Sequence, residues 1–324
     1  MKAVTYDTFG EPADVLRASD IDRPEPGEGQ ILVRTILSPI HNHDLWTARG
    51  TYGHKPDLPA TGGTEGVGTV EAVGKGVDDA MIGKRVATAG TGTWAEYFLA
   101  DAGSAIPLPD DIPDEVGAQL IAMPFSALTL LEFLNVSEGD FVIQTAANGT
   151  VGKLMNDLAP TRGIKLVSLV RREEAKKEMR DLGAQHVVST DDDDWQDQVR
   201  RIVGEDGARA AIDSVGGKIV ADIADLLGRD GLLVVFGTAT GEPLRLNAGP
   251  MISHHLVVRG FWASRIISDM ADDEKARLMG EIVGLASEGK LDLSSAGEYA
   301  LDDIGEAVKA SLTPGRDGKV LMKP

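Results

Sequence analysis

The chain has 324 residues, 42% hydrophobic and 26% charged, the composition of a folded protein long enough for about two domains. Fifty-one acidic against 32 basic residues leave a net charge of -19, so nucleic acid and anionic lipid are repelled. No residue is cysteine, which excludes disulfides, thiol nucleophiles and thiolate metal sites together.

No apolar run approaches the roughly 20 residues of a membrane-spanning helix. The N-terminus, MKAVTYDTFG, lacks the apolar core of a secretory leader and reads as mature protein, with the cytoplasm as its expected place. From Met1 to about Ile112, short β-rich runs (KAVTYD, ILVRTILS, GTVEAVG, RVATAG, AEYFLA) alternate with glycine and proline turns and predict a β-rich domain. Residues 113 to 134 have long apolar helical character, interrupted at Pro124, and are expected to bridge two domains.

After Leu134 the rhythm changes. FVIQT (141 to 145) leads to a helix reaching about Leu158, IKLVSLV (164 to 170) to EEAKKEMRDLGA, and HVVST to a helix starting near Trp195. RAAID then leads to KIVADIADLL, and LLVVFG, after a loop, to LVVRGF. Six short apolar strands alternating with helices predict an α/β fold with a doubly wound parallel sheet. The turn after its first strand, FVIQTAANGTVG, aligns with G-x-G-x-x-G at Ala147, Gly149 and Gly152, a phosphate cradle whose first glycine is substituted. Pro160 is expected to kink the end of the helix that this turn opens. Asp191 to Asp194 reads as a solvated loop capping the next helix. The tail from about Ala263 carries an acidic helix, then EYALDDIGEAVKASL and GKVLMKP, and is expected to return to the β-rich domain. The expected domains are therefore residues 1–120 with 263–324, and 121–262.

In dinucleotide folds that take the unphosphorylated cofactor, an acidic residue ends the second strand. Here that strand ends LVRREE, and a guanidinium suits a 2'-phosphate, so Arg171 and Arg172 favour NADPH over NADH. The alternative is a pair of exposed charges offset by Glu173 and Glu174.

Together, LPATGGTEGVGTVEAVG (58 to 74), the glycine turn, AIDSVGG (211 to 217), LLVVFG (232 to 237) and GKVLMKP resemble the medium-chain dehydrogenase/reductase superfamily over essentially the whole chain. The resemblance implies a six-stranded Rossmann sheet plus a β-rich GroES-like catalytic domain. Zinc members carry a Cys-His pair and a Gly-His-Glu, where this chain has IHNHDL (40 to 45) and Gly63-Thr64-Glu65, so the zinc ligands are missing. RGTYGHKPDLPATGGTEGV (49 to 67), LVRRE (169 to 173) and VVRGFWASR (257 to 265) look most like zinc-free mitochondrial-type trans-2-enoyl thioester reductases and the related NADPH:quinone oxidoreductases.

That likeness implies a catalytic role for Tyr52 in G-x-Y-G. It implies cofactor contacts from Asn148, Gly149, Thr150, Val151 and Gly152 at the pyrophosphate turn, and from Arg171 and Arg172 at the 2'-phosphate. Further contacts fall on Phe236, Gly237 and Thr238, on Phe261 and Trp262 near the nicotinamide, and on Lys319. By residue type alone, Tyr52 reads as a packed aromatic, Lys319 as an exposed strand lysine, and Trp262 and Phe236 as core. The family's Asn-Pro-Ser-Asp is His41-Asn42-His43-Asp44 here, and its Asn-Pro is Met123-Pro124. His41 and His43 share a face if extended, with Glu65 nearby, and read as a polar network rather than a metal site. His254 and His255 are expected to cap a loop.

Hydride reduction of an ordinary ketone needs a strong acid at the developing alkoxide, the job zinc does in metal-dependent relatives. A conjugated enone, enoyl thioester or quinone supplies its own electron sink, and hydrogen bonds suffice for the enolate. The expected function is NADPH-dependent reduction of an activated C=C on a small-molecule electrophile, with Tyr52 stabilising or protonating the enolate. The alternatives are NADPH:quinone oxidoreduction and, from another class, a non-catalytic NADPH-binding structural or regulatory protein. A homodimer through the edge strand LVVRGF is expected, with no nucleic-acid or membrane partner. The acidic surface argues against docking an acidic carrier protein.

Overall fold

Short β-branched runs and glycine turns set the first third of the chain. A computed structural model describing residues 1 to 324 gives β1 (Lys2–Tyr6), α1 (Pro12–Val15), β2 (Arg17–Asp20), β3 (Gln30–Pro39) and α2 (Asn42–Arg49). After them come β4 (Ala60–Thr61), β5 (Glu65–Val73), β6 (Arg85–Ala89), β7 (Tyr97–Asp101) and β8 (Ile106–Pro107). Two helices come next, α3 (Asp114–Gly117) and α4 (Ala122–Leu134). The expected interruption at Pro124 falls earlier, between Gly117 and Ala122. Pro124 sits in the first turn of α4, where a missing N–H deprives no carbonyl of a partner.

The βα rhythm then runs β9 (Phe141–Gln144), α5 (Thr150–Leu158), β10 (Lys165–Val170), α6 (Glu173–Asp181), β11 (His186–Ser189) and α7 (Trp195–Val203). It continues with β12 (Ala208–Asp213), α8 (Ile219–Ala224), β13 (Leu227–Val235), α9 (Ala248–Ser253), β14 (Val257–Gly260), α10 (Ala263–Asp269) and α11 (Asp272–Ser287). The six strands form one parallel sheet ordered β11-β10-β9-β12-β13-β14. Counted from β9, this is the order 3-2-1-4-5-6, whose reversal beside the first strand opens a crevice at the carboxyl ends of the strands. Both faces are covered by helices, so the strands read as continuous apolar runs, with Ile143, Val167, Ala211 and Leu233 fully buried. Pro160 does not kink α5. The helix stops at Leu158, and Pro160 lies in a 3₁₀ turn, Ala159–Arg162. Asp194 takes the cap position of α7 without a capping hydrogen bond, and its carboxylate instead receives Gln198 and Arg201.

The tail supplies β15 (Ser295–Ala300), α12 (Ile304–Leu312) and β16 (Lys319–Lys323). β16 pairs with β3, completing a seven-stranded sheet ordered β15-β16-β3-β5-β6-β8 with β7 also on β3, beside a three-stranded sheet β2-β1-β4. One compact unit comprises Met1–Ala122, Ile282–Gly289 and Leu293–Pro324, and the other Met123–Glu281 and Lys290–Asp292. Residues 263–281 thus group with the parallel sheet, although the sequence assigns them to the β-rich part. Arg162 binds Glu132 at 2.9 Å and Glu281 at 3.0 Å, Arg277 binds Glu132 at 3.1 Å, and Leu278 is fully buried, which fastens the start of α11 there. No helix is long and apolar enough to cross a membrane.

Candidate active site

In the β-rich unit the chain leaves β3 and enters α2 through His41, an extended cap residue whose amide donates to Asp44 Oδ2 at 2.8 Å. A carboxylate at the third helical position reaching back in this way satisfies an otherwise orphaned N–H. The helix ends at Gly50, in the left-handed region at φ 74°, where a Cβ would lie 2.9 Å from the Phe9 ring. Thr51 and Tyr52 then both donate their amides to the Trp46 carbonyl, at 3.0 and 3.2 Å, pinning Tyr52 to the end of α2. Its ring stacks on His43 at 5.8 Å between centroids, and His43 stacks on His41 at 4.9 Å.

The facing wall comes from TGGTEG. Gly62 and Gly63 cross the face of the buried Trp94, where a Cβ would meet the indole at 2.3 and 2.6 Å, and this brings Thr64 and Glu65 up to α2. Thr64 Oγ1 donates to Asp44 Oδ1 at 2.8 Å and lies 2.8 Å from His43 Nε2. Glu65, fully enclosed, bonds His41 Nε2 through Oε1 at 2.6 Å and accepts the amides of Ile121 and Ala122 through Oε2 at 3.1 and 2.5 Å. Burial pushes the Glu65 carboxyl up to about 7 and holds His41 well below the usual imidazole range, so His41 is neutral and donates its Nε2–H. Its Nδ1 is buried without a partner.

Lys319, on β16, is 4% exposed, and burial together with nearby Arg316 pulls its ammonium down to about 8. It faces the charges of Asp44 and Glu65, so it is not the exposed strand lysine that residue type suggests. A zinc ion does not fit this corner. Both Glu65 oxygens and the Thr64 hydroxyl are engaged, and no three His, Cys, Asp or Glu side chains converge on one point.

In the other unit, the residues singled out from sequence lie at the carboxyl end of the parallel sheet. The turn after β9 carries Asn148 and caps α5 with Gly149, leaving the amides of Thr150 and Val151 in a first turn with no intrahelical acceptor, a fit for a pyrophosphate. At Gly152 a Cβ would lie 2.4 Å from the Ala147 carbonyl oxygen, so only glycine lets helix and turn approach this closely. Arg171 and Arg172 follow β10, exposed, and no carboxylate lies within ion-pair distance of either guanidinium; Glu173 binds Lys176 instead. Phe236, Gly237 and Thr238 follow β13, and Phe261 and Trp262 follow β14. Phe261 is buried, packs edge-on against Phe133 at 5.2 Å and lies 5.9 Å from Phe236, while Trp262 is 49% exposed and so is not core.

Sequence reasoning named Asp44 and Thr64 only within stretches aligned to family motifs and gave neither a role. It missed Thr145 and Asp213, which bond at 3.1 Å and tie the tips of β9 and β12 together. His254 and His255, expected to cap a loop, lie at the end of α9, where His254 is the C-cap with Nδ1 2.9 Å from the Leu227 carbonyl oxygen and His255 is left-handed at φ 52°.

The sheet order and its glycine turn define an α/β protein of the dinucleotide-binding class. Comparison with known proteins narrows this. The family model described as alcohol dehydrogenase GroES-like domain matches residues 27–110, and that described as zinc-binding dehydrogenase matches residues 150–278. Human mitochondrial enoyl-[acyl-carrier-protein] reductase is 30% identical over 99% of this chain and 88% of its own length. A crystal structure titled putative NADPH:quinone reductase from Bacillus thuringiensis superposes with a TM-score of 0.92 at 29% identity, covering 100% of this chain and 98% of the other. Escherichia coli quinone oxidoreductase, solved with NADPH, gives 0.88 at 26% identity with full coverage of both chains. The chain belongs to the medium-chain dehydrogenase/reductase family and is an oxidoreductase.

Proposed function

We propose that the protein is an NADPH-dependent reductase that adds hydride to an activated C=C, an enoyl thioester or an enone, without catalytic zinc. The observation that carries this reading is the corner around Glu65, where hydrogen bonds among His41, His43, Asp44 and Thr64 stand in positions that hold metal ligands in zinc relatives. Such a site offers hydrogen bonds, and an acceptor with its own electron sink needs no more. The human relative's name, an enoyl reductase, agrees with it.

When bound, NADPH supplies the hydride. Asn148, Gly149, Thr150, Val151 and Gly152 bind the pyrophosphate, Arg171 and Arg172 the 2'-phosphate, and Phe236 to Thr238 with Phe261 and Trp262 the nicotinamide end. Lys319 keeps its cofactor role within this proposal. Tyr52 holds the acceptor oxygen through its hydroxyl and stabilises the enolate. Quinone reduction is the second reading, favoured by the names of the two structural relatives.

NADPH or NADH with crotonyl-CoA, simple enones and benzoquinones tests both readings. NADPH oxidation by the enoyl acceptors is expected, and Tyr52→Phe lowers kcat about 100-fold. Replacing both Arg171 and Arg172 with alanine weakens NADPH binding about 10-fold or more and leaves NADH unaffected. Equal turnover by Tyr52→Phe on enoyl substrates refutes the tyrosine's role, a preference for NADH overturns the arginine argument, and turnover of quinones alone selects the second reading.

We propose in addition that two copies pair through β14. It has one neighbour, β13, its Val257 is 46% exposed, and Ile252 just before it is 73% exposed. Residence in the cytoplasm belongs to the same proposal, and fractionation that finds the native protein in an organelle overturns it.

A further inference from the structure

His43 has a fixed proton. Asp44 accepts from the His41 amide through Oδ2 and from the Thr64 hydroxyl through Oδ1, as an ionised carboxylate does. The single hydroxyl hydrogen of Thr64 is thereby committed, so its oxygen is left to accept, and His43 Nε2, 2.8 Å away, must be the donor. Nε2 also lies 3.5 Å from Asp44 Oδ1. The proton is therefore held on Nε2, and the variable nitrogen is Nδ1, which bonds no protein atom. The side chain is 20% exposed, enough to exchange protons with water. One face of the ring lies on Tyr52 at 5.8 Å, and a carboxylate stands behind it through one hydroxyl. An imidazole oriented and charge-stabilised from one nitrogen, with no protein bond at the other, is suited to general acid–base work.

We propose that His43, through Nδ1–H, is the catalytic acid that protonates the α-carbon of the enolate after hydride transfer, with Thr64 and Asp44 as its positioning residues. This rests on the reductase reading above. In the balanced reaction, hydride from NADPH forms the C–H bond at the β-carbon, the C=C π bond breaks, and its electron pair passes into the enolate. That pair then takes the proton from Nδ1, forming the α C–H bond and leaving neutral imidazole, which recharges from water. NADPH is oxidised to NADP⁺ and the alkene is reduced by two electrons. The titratable and charged groups facing His43 are His41 at the cap of α2, Asp44 on it, Tyr52 after it and Glu65 on β5. The imidazolium is the donating form, so kcat for enoyl acceptors is expected to fall as pH rises.

The test compares the full-length chain with His43→Gln, whose amide retains a donor for Thr64 and has no proton to transfer. With crotonyl-CoA and NADPH in D₂O, the parent is expected to place deuterium on one face of the α-carbon. His43→Gln is expected to lose about 100-fold in kcat with KM and NADPH affinity unchanged, to deuterate both faces, and to lose the pH dependence. ¹⁵N NMR of histidine in the parent, needing neither cofactor nor turnover, is expected to show neutral His43 protonated at Nε2, and Thr64→Val to release that preference. A His43→Gln chain that deuterates one face with an unaltered pH profile, or a neutral His43 found protonated at Nδ1, overturns the proposal while the reductase reading stands. A parent that reduces no enoyl acceptor overturns the reading itself and this role with it.

Discussion

The substituted glycine of the glycine turn is explained one residue away. The left-handed residue there is Ala146, at φ 49°, while Ala147 occupies the first glycine position with its methyl in the core against Val170, Ala175 and Met179. A Cβ at Ala147 therefore contributes packing, and the backbone strain sits on Ala146, costing about 1 kcal/mol. Ala146→Gly is expected to raise stability by at most about 0.6 kcal/mol, the strain relieved less the added freedom of the unfolded chain. Gly152→Ala meets the Ala147 carbonyl oxygen and should cost about 1 to 3 kcal/mol. Urea unfolding of both variants measures these changes, and a silent Gly152→Ala would show that the close approach is not what selects glycine. The motif was visible in the sequence, but which residue bears the strain was not, because φ is set by how the turn docks on the neighbouring strand.

At the scale of the element, α5 is fastened by charge along one side. Lys153 pairs with Glu178 at 2.7 Å and lies 3.8 Å from Asp292, whose amide donates to Asp157 at 2.8 Å. Burial outweighs that hydrogen bond and pushes the Asp157 carboxyl up to about 6, from 3.8 in an ordinary aspartate. A carboxyl raised on folding favours the protonated folded form, so its contribution is present below about pH 3.8 and is lost as pH rises through about 6. Asp157→Asn keeps the acceptor for Asp292 and removes the titration. It should match the parent near pH 4 and exceed it at pH 8 by about 1 kcal/mol, a figure discounted for the exposure of the group. Thermal melts across that range check the sign, and a variant less stable than the parent at pH 8 contradicts it. Nothing in the spacing of α5 announced this cluster, since Asp292 reaches it from 135 residues further along.

For the whole molecule, the proposed pairing through β14 would bring together two chains that each carry -19. Repulsion between them is long-ranged and screened by salt, whereas strand pairing and apolar contact are not. The dimer should therefore persist or strengthen from low to moderate salt, and Val257→Lys on the edge should release monomers. Light scattering at micromolar concentration reads the outcome directly. A mass of 34.3 kDa at every salt concentration would remove the proposal.

By itself the sequence determined the βα rhythm, the parallel sheet, the place of the glycine turn and the arginine pair at the tip of β10. Each is written in local terms: a period of apolar residues, a glycine beside a helix start, a charge at a strand end. The tertiary structure alone decided that residues 263–281 belong with the parallel sheet, where ion pairs to Glu132 and Arg162 hold them, and that Lys319 is buried. It also decided the partner of His43. Its Nε2 meets Thr64, 21 residues away, and such a bond exists only because Gly62 and Gly63 let the chain pass over Trp94. Hydrogen bonds and ion pairs between distant segments depend on the docking of whole elements, which no local pattern encodes.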